Sequence, residues 1–377
     1  MTPTRCRRLA LAALIAAALS PQATADPLSL KDGDRVVLLG NTVIERAASY
    51  GYVEAALTAA HPDAAITFRN LGWSGDTVFG DARSYFGPPE EGFQRLEALL
   101  KDLKPSVVIA CYGAFEAFDG PEAIPGFIGG YGRLLDMVDQ ASPGCRVCLV
   151  SPPPLENLGA PLPDQAETNA SLAAFRDAIG KLAADRGEAF ADLFAAMGGG
   201  SSAIPENPLT ENGVHFTESG YRQLAAALLK AMGVSADGRY HLNADARGAE
   251  IAFAPATLPF AGPPTLTAAG LEKGKYTIAS DGKAIAGATA QELAEGIALE
   301  GCANAERFEK LRQSIIVKNR LYFHRWRPAN ETYLHGFRKH EQGQNAKEMP
   351  MFEPLVAEKE KEIAALRTPV KETIKVN

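Results

Sequence analysis

From Arg35 to about Gly233 the chain alternates short, unbroken apolar runs with stretches of helical periodicity, and this restricts its possible folds more than any other feature. The apolar runs are 35–40 (RVVLLG), 65–71 (AITFRNL), 106–112 (SVVIACY), 146–150 (RVCLV) and 188–193 (EAFADL). Helical patterns fall near 45–60, 93–103, 127–140 and 165–185, and Thr217 can cap a last helix reaching Met232. Strands that are apolar throughout need cover on both faces. The alternation therefore predicts a parallel sheet between two helical layers. Ligands of such sheets bind at the carboxyl ends of the strands, so the residues just after each run are the candidates for chemistry.

Beyond 233 the pattern changes. Residues 234–289 read as a small β-module: glycine and proline are frequent, 250–254, 265–269 and 276–280 alternate, and Gly274 and Asp281-Gly282 supply turns. Residues 290–377 read as a charged helical extension, with helices over 306–325, stopping before Pro328, and over 352–366. At the other end, Arg5, Arg7 and Arg8 precede a short apolar stretch, 9–19, and the small-residue site Ala23-Thr24-Ala25. That stretch is too short to span a bilayer and predicts an export signal over 1–25, with the first domain over 26–233.

The formal charge of −7 becomes −10 when the signal's three arginines leave. So acidic a chain has no general electrostatic reason to bind nucleic acid or an anionic membrane surface. Export also means an oxidising compartment. Four cysteines stay with the exported chain: Cys111, Cys145, Cys148 and Cys302. Cys145 and Cys148 run into a strand, where a spacing of three points side chains to opposite faces. With no second pair to complete a zinc site, they read as packed thiols, and no metal or cofactor is expected. A disulfide cannot be deduced from spacing.

The strand ends carry Gly40-Asn41-Thr42, then Asn70-Leu71-Gly72-Trp73-Ser74-Gly75-Asp76-Thr77, then Tyr112-Gly113-Ala114-Phe115-Glu116; Asn212-Gly213-Val214-His215 precedes the last helix. Together these segments resemble the four blocks of the SGNH (GDSL) hydrolase superfamily, over roughly 34–232. A closer likeness is to secreted members from planctomycete-type bacteria, which pair a GNT-IER first block with a tail resembling residues 323–328 and 337–341. The resemblance implies a three-layer α/β/α, flavodoxin-like fold with five parallel strands. It also implies acyl-ester hydrolysis of a small-molecule or carbohydrate ester. In that chemistry a hydroxyl attacks the carbonyl, a histidine takes its proton, a carboxylate three residues earlier orients the histidine, and N–H groups hold the oxyanion.

Carried over by position, the nucleophile is Thr42 instead of serine, the oxyanion glycine is Gly75, and the histidine is His215. The oxyanion asparagine is replaced by Phe115 and the orienting aspartate by Asn212. Losing the carboxylate costs ~10⁴ in turnover in the serine-protease template, and losing one oxyanion donor ~10²–10³. Asn41 and Ser74 are candidates to restore part of the oxyanion hole. Glu116 reads as a solvated loop acid, or as a group that receives a polar substrate or replaces the missing carboxylate. Trp73 reads as packing or as a sugar platform. Two functions stay open: an ester hydrolase with a degenerate site, or an impaired domain of this fold that binds a ligand or scaffolds a partner. In the extension, 322–341 holds four Arg/Lys, three His and five aromatics. This density predicts a segment that packs against the first domain and closes one wall of its cleft, either as a clasp or as an anion or carbohydrate surface.

Overall fold

The structure is a computed structural model that describes residues 28–85, 87–234, 238, 240–244, 250–341 and 345–377. The export signal predicted over 1–25 lies outside the described residues. Five strands, β1 (Arg35–Gly40), β2 (Thr67–Asn70), β3 (Val107–Cys111), β4 (Arg146–Val150) and β5 (Ala189–Ala191), form one sheet in the order β2-β1-β3-β4-β5. Every neighbouring pair is parallel, with Val36 opposite both Phe68 and Val107. This is the predicted sheet, and its side chains alternate between two cores. Val36, Leu38 and Ile109 face one core, and Val37, Leu39 and Val108 the other. Cys148 lies in the first core, whereas Cys145 packs at the edge of the second, and all four described cysteines are free thiols.

Seven helices belong to this unit: α1 (Thr42–Tyr50), α2 (Tyr52–Ala60), α3 (Pro89–Leu103), α4 (Ile124–Ala141), α5 (Ala166–Arg186), α6 (Leu193–Ala196) and α7 (Glu218–Ala231). The single helix expected over 45–60 is two. Gly51 breaks it in a left-handed conformation at φ 73°, and a Cβ there would lie 2.9 Å from Ile316 Cγ1 and 3.1 Å from the Arg312 carbonyl. The break lets the extension approach the backbone closely, which a bulkier residue would prevent.

Seven more strands and four helices follow: β6 (His241–Ala244), β7 (Glu250–Phe253), β8 (Thr265–Ala268), β9 (Lys275–Ser280), β10 (Lys283–Thr289), α8 (Ala290–Glu295), β11 (Ile297–Ala298), α9 (Ala303–Trp326), α10 (Glu331–Leu334), α11 (Phe352–Leu366) and β12 (Glu372–Val376). They build sheets ordered β11-β8-β6 and β10-β9-β12-β7. The chain's last strand, absent from the sequence reading, thus sits between β7 and β9. Its Glu372 is fully buried and accepts from Ser280 Oγ (2.5 Å), the Ala303 N–H (2.6 Å) and Asn304 Nδ2 (2.9 Å). A carboxylate there complements the positive amino end of α9.

Helix α9 is the bolt between these parts. At 24 residues it is about 36 Å long. Arg312 Nη1 donates to the Tyr50 carbonyl at 2.8 Å and Nη2 pairs with Glu218 at 3.1 Å. One turn and a half later the buried Lys318 ammonium meets Glu54 at 2.6 Å and the Phe68 carbonyl at 3.0 Å. Further along, Arg327 pairs with Glu45 at 3.1 Å and Glu331 with Arg95 at 3.0 Å, so the 322–341 segment packs against the first domain, as its composition predicts. Among the described residues no helix is long and apolar enough to cross a membrane.

Candidate active site

At the carboxyl end of β1, Asn41 is buried and its Oδ1 accepts the Val43 N–H at 3.4 Å, capping α1. The side-chain oxygen of this candidate oxyanion residue is thus engaged in holding the helix start. Thr42 is the first residue of α1 and is half-buried. The segment after β2 is sewn to the same helix. Asn70 Nδ2 donates to the Ile44 carbonyl at 2.7 Å, Asn70 Oδ1 accepts the Gly72 N–H at 2.8 Å, and the Trp73 N–H reaches the Gly40 carbonyl at 3.0 Å. At Gly72 a Cβ would lie 2.3 Å from the Glu45 nitrogen, so only glycine lets this loop lie flat on α1.

Beyond Gly72, Ser74 is exposed and its N–H donates to Glu45 Oε2. Gly75 follows at the turn closed by the Asp76 N–H on the Trp73 carbonyl, and among the described residues its own N–H has no acceptor. Trp73 is packing and not an open platform. The Arg327 guanidinium lies 3.6 Å from its ring centre, while Tyr85 and Trp326 meet it edge-on. Beneath the loop, the buried Arg83 donates through Nε to Asp76 at 2.6 Å and through Nη2 to the Leu71 carbonyl at 2.8 Å, and Tyr112 Oη donates to the same Asp76 oxygen at 3.3 Å. Burial pushes the Asp76 carboxyl above its ordinary range, against the opposing pull of Arg83.

After β3, Phe115 is 56% exposed, on the protein surface. Glu116 is not a solvated loop acid. It is buried, and its two oxygens accept the Gly113 N–H at 3.1 Å and the Val78 N–H at 3.3 Å, joining the turns after β2 and β3. Burial raises its pKa although both N–H groups act to lower it. Both oxygens are committed to backbone, so it cannot take the place of the missing carboxylate beside His215.

His215 lies on a tight loop that is anchored to α1. Glu156 accepts from the N–H groups of Leu209 (2.9 Å) and Thr210 (2.8 Å), and Thr217 caps α7. Tyr221 Oη then donates to the Val43 carbonyl at 2.9 Å, and Arg46 pairs with Glu211 at 3.7 Å. Asn212, in the place of the orienting aspartate, does not present its amide oxygen to the ring. Its Oδ1 accepts the backbone N–H groups of Val214 (3.2 Å) and His215 (2.9 Å), which fixes the amide's orientation and leaves Nδ2 at 3.4 Å from His215 Nδ1. An N–H donor facing Nδ1 favours the tautomer that carries its proton on Nε2. Among the described residues neither Thr42 Oγ1 nor His215 Nε2 has a hydrogen-bond partner.

The sequence reading missed the Asp76–Arg83–Tyr112 cluster and the contact of Glu45 with Arg327, at 3.1 Å between Oε1 and Nη1. Glu45 and Arg327 nevertheless both stand in the segments that carried the closer family likeness. No three His, Cys, Asp or Glu side chains gather as metal ligands among the described residues.

Comparison with solved structures finds a likeness over 94% of this chain and 99% of the other to a gut microbial diltiazem-metabolizing enzyme, at 16% identity and a TM-score of 0.66. That likeness is one of fold, and it extends through the β-module and the helical extension. Axe2, an acetylxylan esterase from Geobacillus stearothermophilus, is similar over 55% of this chain and 97% of its own, with 17% identity and a TM-score of 0.42. LAE5, an alpha/beta hydrolase enzyme from the metagenome of Lake Arreo, Spain, is similar over 54% and 97%, with 18% identity and a TM-score of 0.41. No curated protein matches the sequence. The profile of the GDSL-like lipase/acylhydrolase family matches residues 39–223, which hold the three strand-end segments and the His215 segment. This match, over just under half of the chain, supports the SGNH (GDSL) superfamily and a carboxylic ester hydrolase.

Proposed function

We propose that the protein is an exported ester hydrolase that works slowly because its site is degenerate, with Thr42 as nucleophile and His215 as base. The observation that carries this reading is the anchoring of the His215 loop on the helix that Thr42 opens, through Tyr221 to Val43 and Glu211 to Arg46. Thr42 Oγ1 attacks the ester carbonyl carbon while its proton passes to Nε2. The tetrahedral oxyanion draws on the free Gly75 N–H. Collapse expels the alcohol, which takes the proton back from the imidazolium, and water releases the acid from the acyl-threonine by the same steps. Asn212 opposes the first of these steps. It holds Nδ1 as the acceptor, so Nε2 must lose its proton to Nδ1 before it can take one from Thr42. The threonine methyl adds crowding at the acyl carbon.

The substrate reading is an acyl ester on a carbohydrate. Its support is an exposed aromatic pair, Phe115 at 56% and Phe118 at 59%, at the catalytic end of the sheet, where rings can meet the apolar face of a sugar. Turnover of p-nitrophenyl acetate and of acetylated xylo-oligosaccharides by the wild type and by His215→Ala tests both parts. Hydrolysis that falls at least tenfold in His215→Ala is expected. Equal rates in the two proteins rule out the catalytic assignment.

The unpartnered Thr42 hydroxyl and the exposed Phe115 favour one second reading, a domain of this fold that binds acylated carbohydrate without turning it over. Calorimetric binding of the acetylated oligosaccharide with no product formed selects it.

A further inference from the structure

We propose that the C-terminal extension is part of the ester site, with Arg327 acting as a positioning residue for the loop that supplies the oxyanion N–H. The proposal rests on the reading of Gly75 as an oxyanion donor.

One carboxylate joins the loop to the extension. Glu45 lies on α1, three residues after Thr42, and both its oxygens are in use. Oε2 accepts the N–H of Ser74, the residue before Gly75, and Oε1 accepts from Arg327 Nη1 at 3.1 Å. The Ser74 peptide is therefore held by a side chain whose own rotamer is held from the extension. Arg327 is fixed in turn. Its guanidinium carbon lies 3.6 Å from the centre of the Trp73 ring and 5.5 Å from that of Phe323, and Trp73 is the residue immediately before Ser74. The pair is mostly withdrawn from water, with 22% of the Arg327 side chain and 24% of the Glu45 side chain exposed, so its attraction is screened less than that of a surface pair.

One guanidinium thus stacks on a side chain of the loop and, through Glu45, fixes its backbone. Only a planar, charged fork does both: lysine would keep the charge and lose the stack. Arg327 is itself placed by α9, which is bolted to Tyr50, Glu54 and Phe68 further back. The extension therefore reaches from the β-module to the oxyanion loop through one continuous helix, with Arg327 at its end. Oxyanion geometry is sensitive to such support, since a displacement of about 1 Å can cost 10²-fold in rate.

The test uses the full chain carrying Arg327→Gln, Arg327→Lys, Arg327→Ala, Glu45→Gln or the Arg327→Gln/Glu45→Gln pair. It has two independent readouts. The first is p-nitrophenyl acetate kinetics. Arg327→Gln is expected to lower kcat roughly tenfold or more with KM within about twofold, since the contact serves the transition state. Arg327→Lys should recover only part of the loss, and added methylguanidinium should restore part of the kcat of Arg327→Ala. The double variant should be no slower than the worse single one, because both break the same chain of contacts. The second readout is the ¹⁵N–¹H resonance of the Ser74 and Gly75 amides. In the wild type the Ser74 amide should lie downfield, as a bond to a carboxylate requires, and both amides should shift in Arg327→Gln and in Arg327→Lys. A kcat in Arg327→Gln within twofold of the wild type, or unmoved Ser74 and Gly75 amides, overturns the proposal. Wild-type turnover that ignores His215→Ala would instead defeat the hydrolase reading, and the amide shifts would still decide whether Arg327 positions the loop.

Discussion

The two ends of the central sheet use polar residues in opposite ways. At the amino ends of β1, β3 and β4 a set of polar groups is spent on one another. Asp34 takes the Lys31 N–H (2.6 Å), Ser106 Oγ (2.8 Å) and both contacts of Arg146 Nη2 (2.6 and 2.7 Å), while Ser106 Oγ accepts the Arg35 N–H at 2.9 Å. That network ties the entrances of β1, β3 and β4 together. At the carboxyl ends the scaffold is well satisfied through Asn70, Glu116 and Glu156, but it carries a few groups that have no hydrogen-bond partner among the described residues. Those are the Thr42 hydroxyl, the Gly75 N–H and His215 Nε2. The contrast separates structure from function more sharply than burial does: Glu116 is a buried carboxylate that only holds loops, whereas half-buried His215 keeps a free ring nitrogen.

The largest expected change at the carboxyl end comes from Asn212→Asp. One carboxylate oxygen would keep the Val214 and His215 N–H groups, and the other would accept from Nδ1, leaving Nε2 free to take the threonine proton. Set against the ~10⁴ that the reverse change costs in the serine-protease template, esterase kcat should rise at least about tenfold at neutral pH. A rate unchanged in folded Asn212→Asp would break the tautomer argument.

At the amino end the expected effect is on stability alone. Burial pushes the Asp34 carboxyl up, but hydrogen bonds from Arg146, the Lys31 N–H and Ser106, with the Arg146 charge, hold it below the ordinary carboxylate range. A carboxyl lowered in the folded state stabilises at neutral pH, and that contribution is lost as pH falls through its folded value. Asp34→Asn should therefore cost about 2–3 kcal/mol by urea unfolding at pH 7, in line with hydrogen bonds to a charged group. The gap to the wild type should close below about pH 4, the ordinary aspartate range. Esterase kcat should not move. A gap that stays constant with pH would show that the charge of Asp34 is not what stabilises.

The smallest effect is expected at Phe115. Its ring is on the surface, so Phe115→Asn costs little stability and adds a donor to a loop not shaped around one. A rise in kcat of up to about tenfold, below the ~10²–10³ of a full oxyanion donor, is the predicted result. The rise is read with p-nitrophenyl acetate, which lacks the sugar that Phe115 is proposed to meet, and a fall with that ester would contradict the added-donor reading.

The sheet was legible in the sequence because its strands are apolar on both faces and short, and because Thr217 caps α7 as a threonine before an amphipathic run should. The loop-to-helix stitching at Asn70 and Gly72 stood in a motif that could be read residue by residue. What escaped depends on contacts between distant residues. Strand β12 is five residues long and finds its partners β7 and β9 about a hundred residues upstream. Nothing near Glu116 in the chain shows that the Val78 and Gly113 N–H groups converge on it. The separation of 282 positions from Glu45 to Arg327 hides their pairing in the same way. At Asn212 the sequence gives the residue type, whereas the end of the amide that faces the ring is fixed by two backbone N–H groups on the folded loop.

The central claim is that Thr42 is a nucleophile served by His215, and covalent trapping tests it most directly. The full chain is incubated with a fluorophosphonate and the modified peptide identified by mass spectrometry, in the wild type, Asn212→Asp and His215→Ala. The account predicts one adduct, on Thr42, formed faster in Asn212→Asp and absent from His215→Ala. An adduct on Ser74, or no adduct in wild type and Asn212→Asp alike, would contradict it.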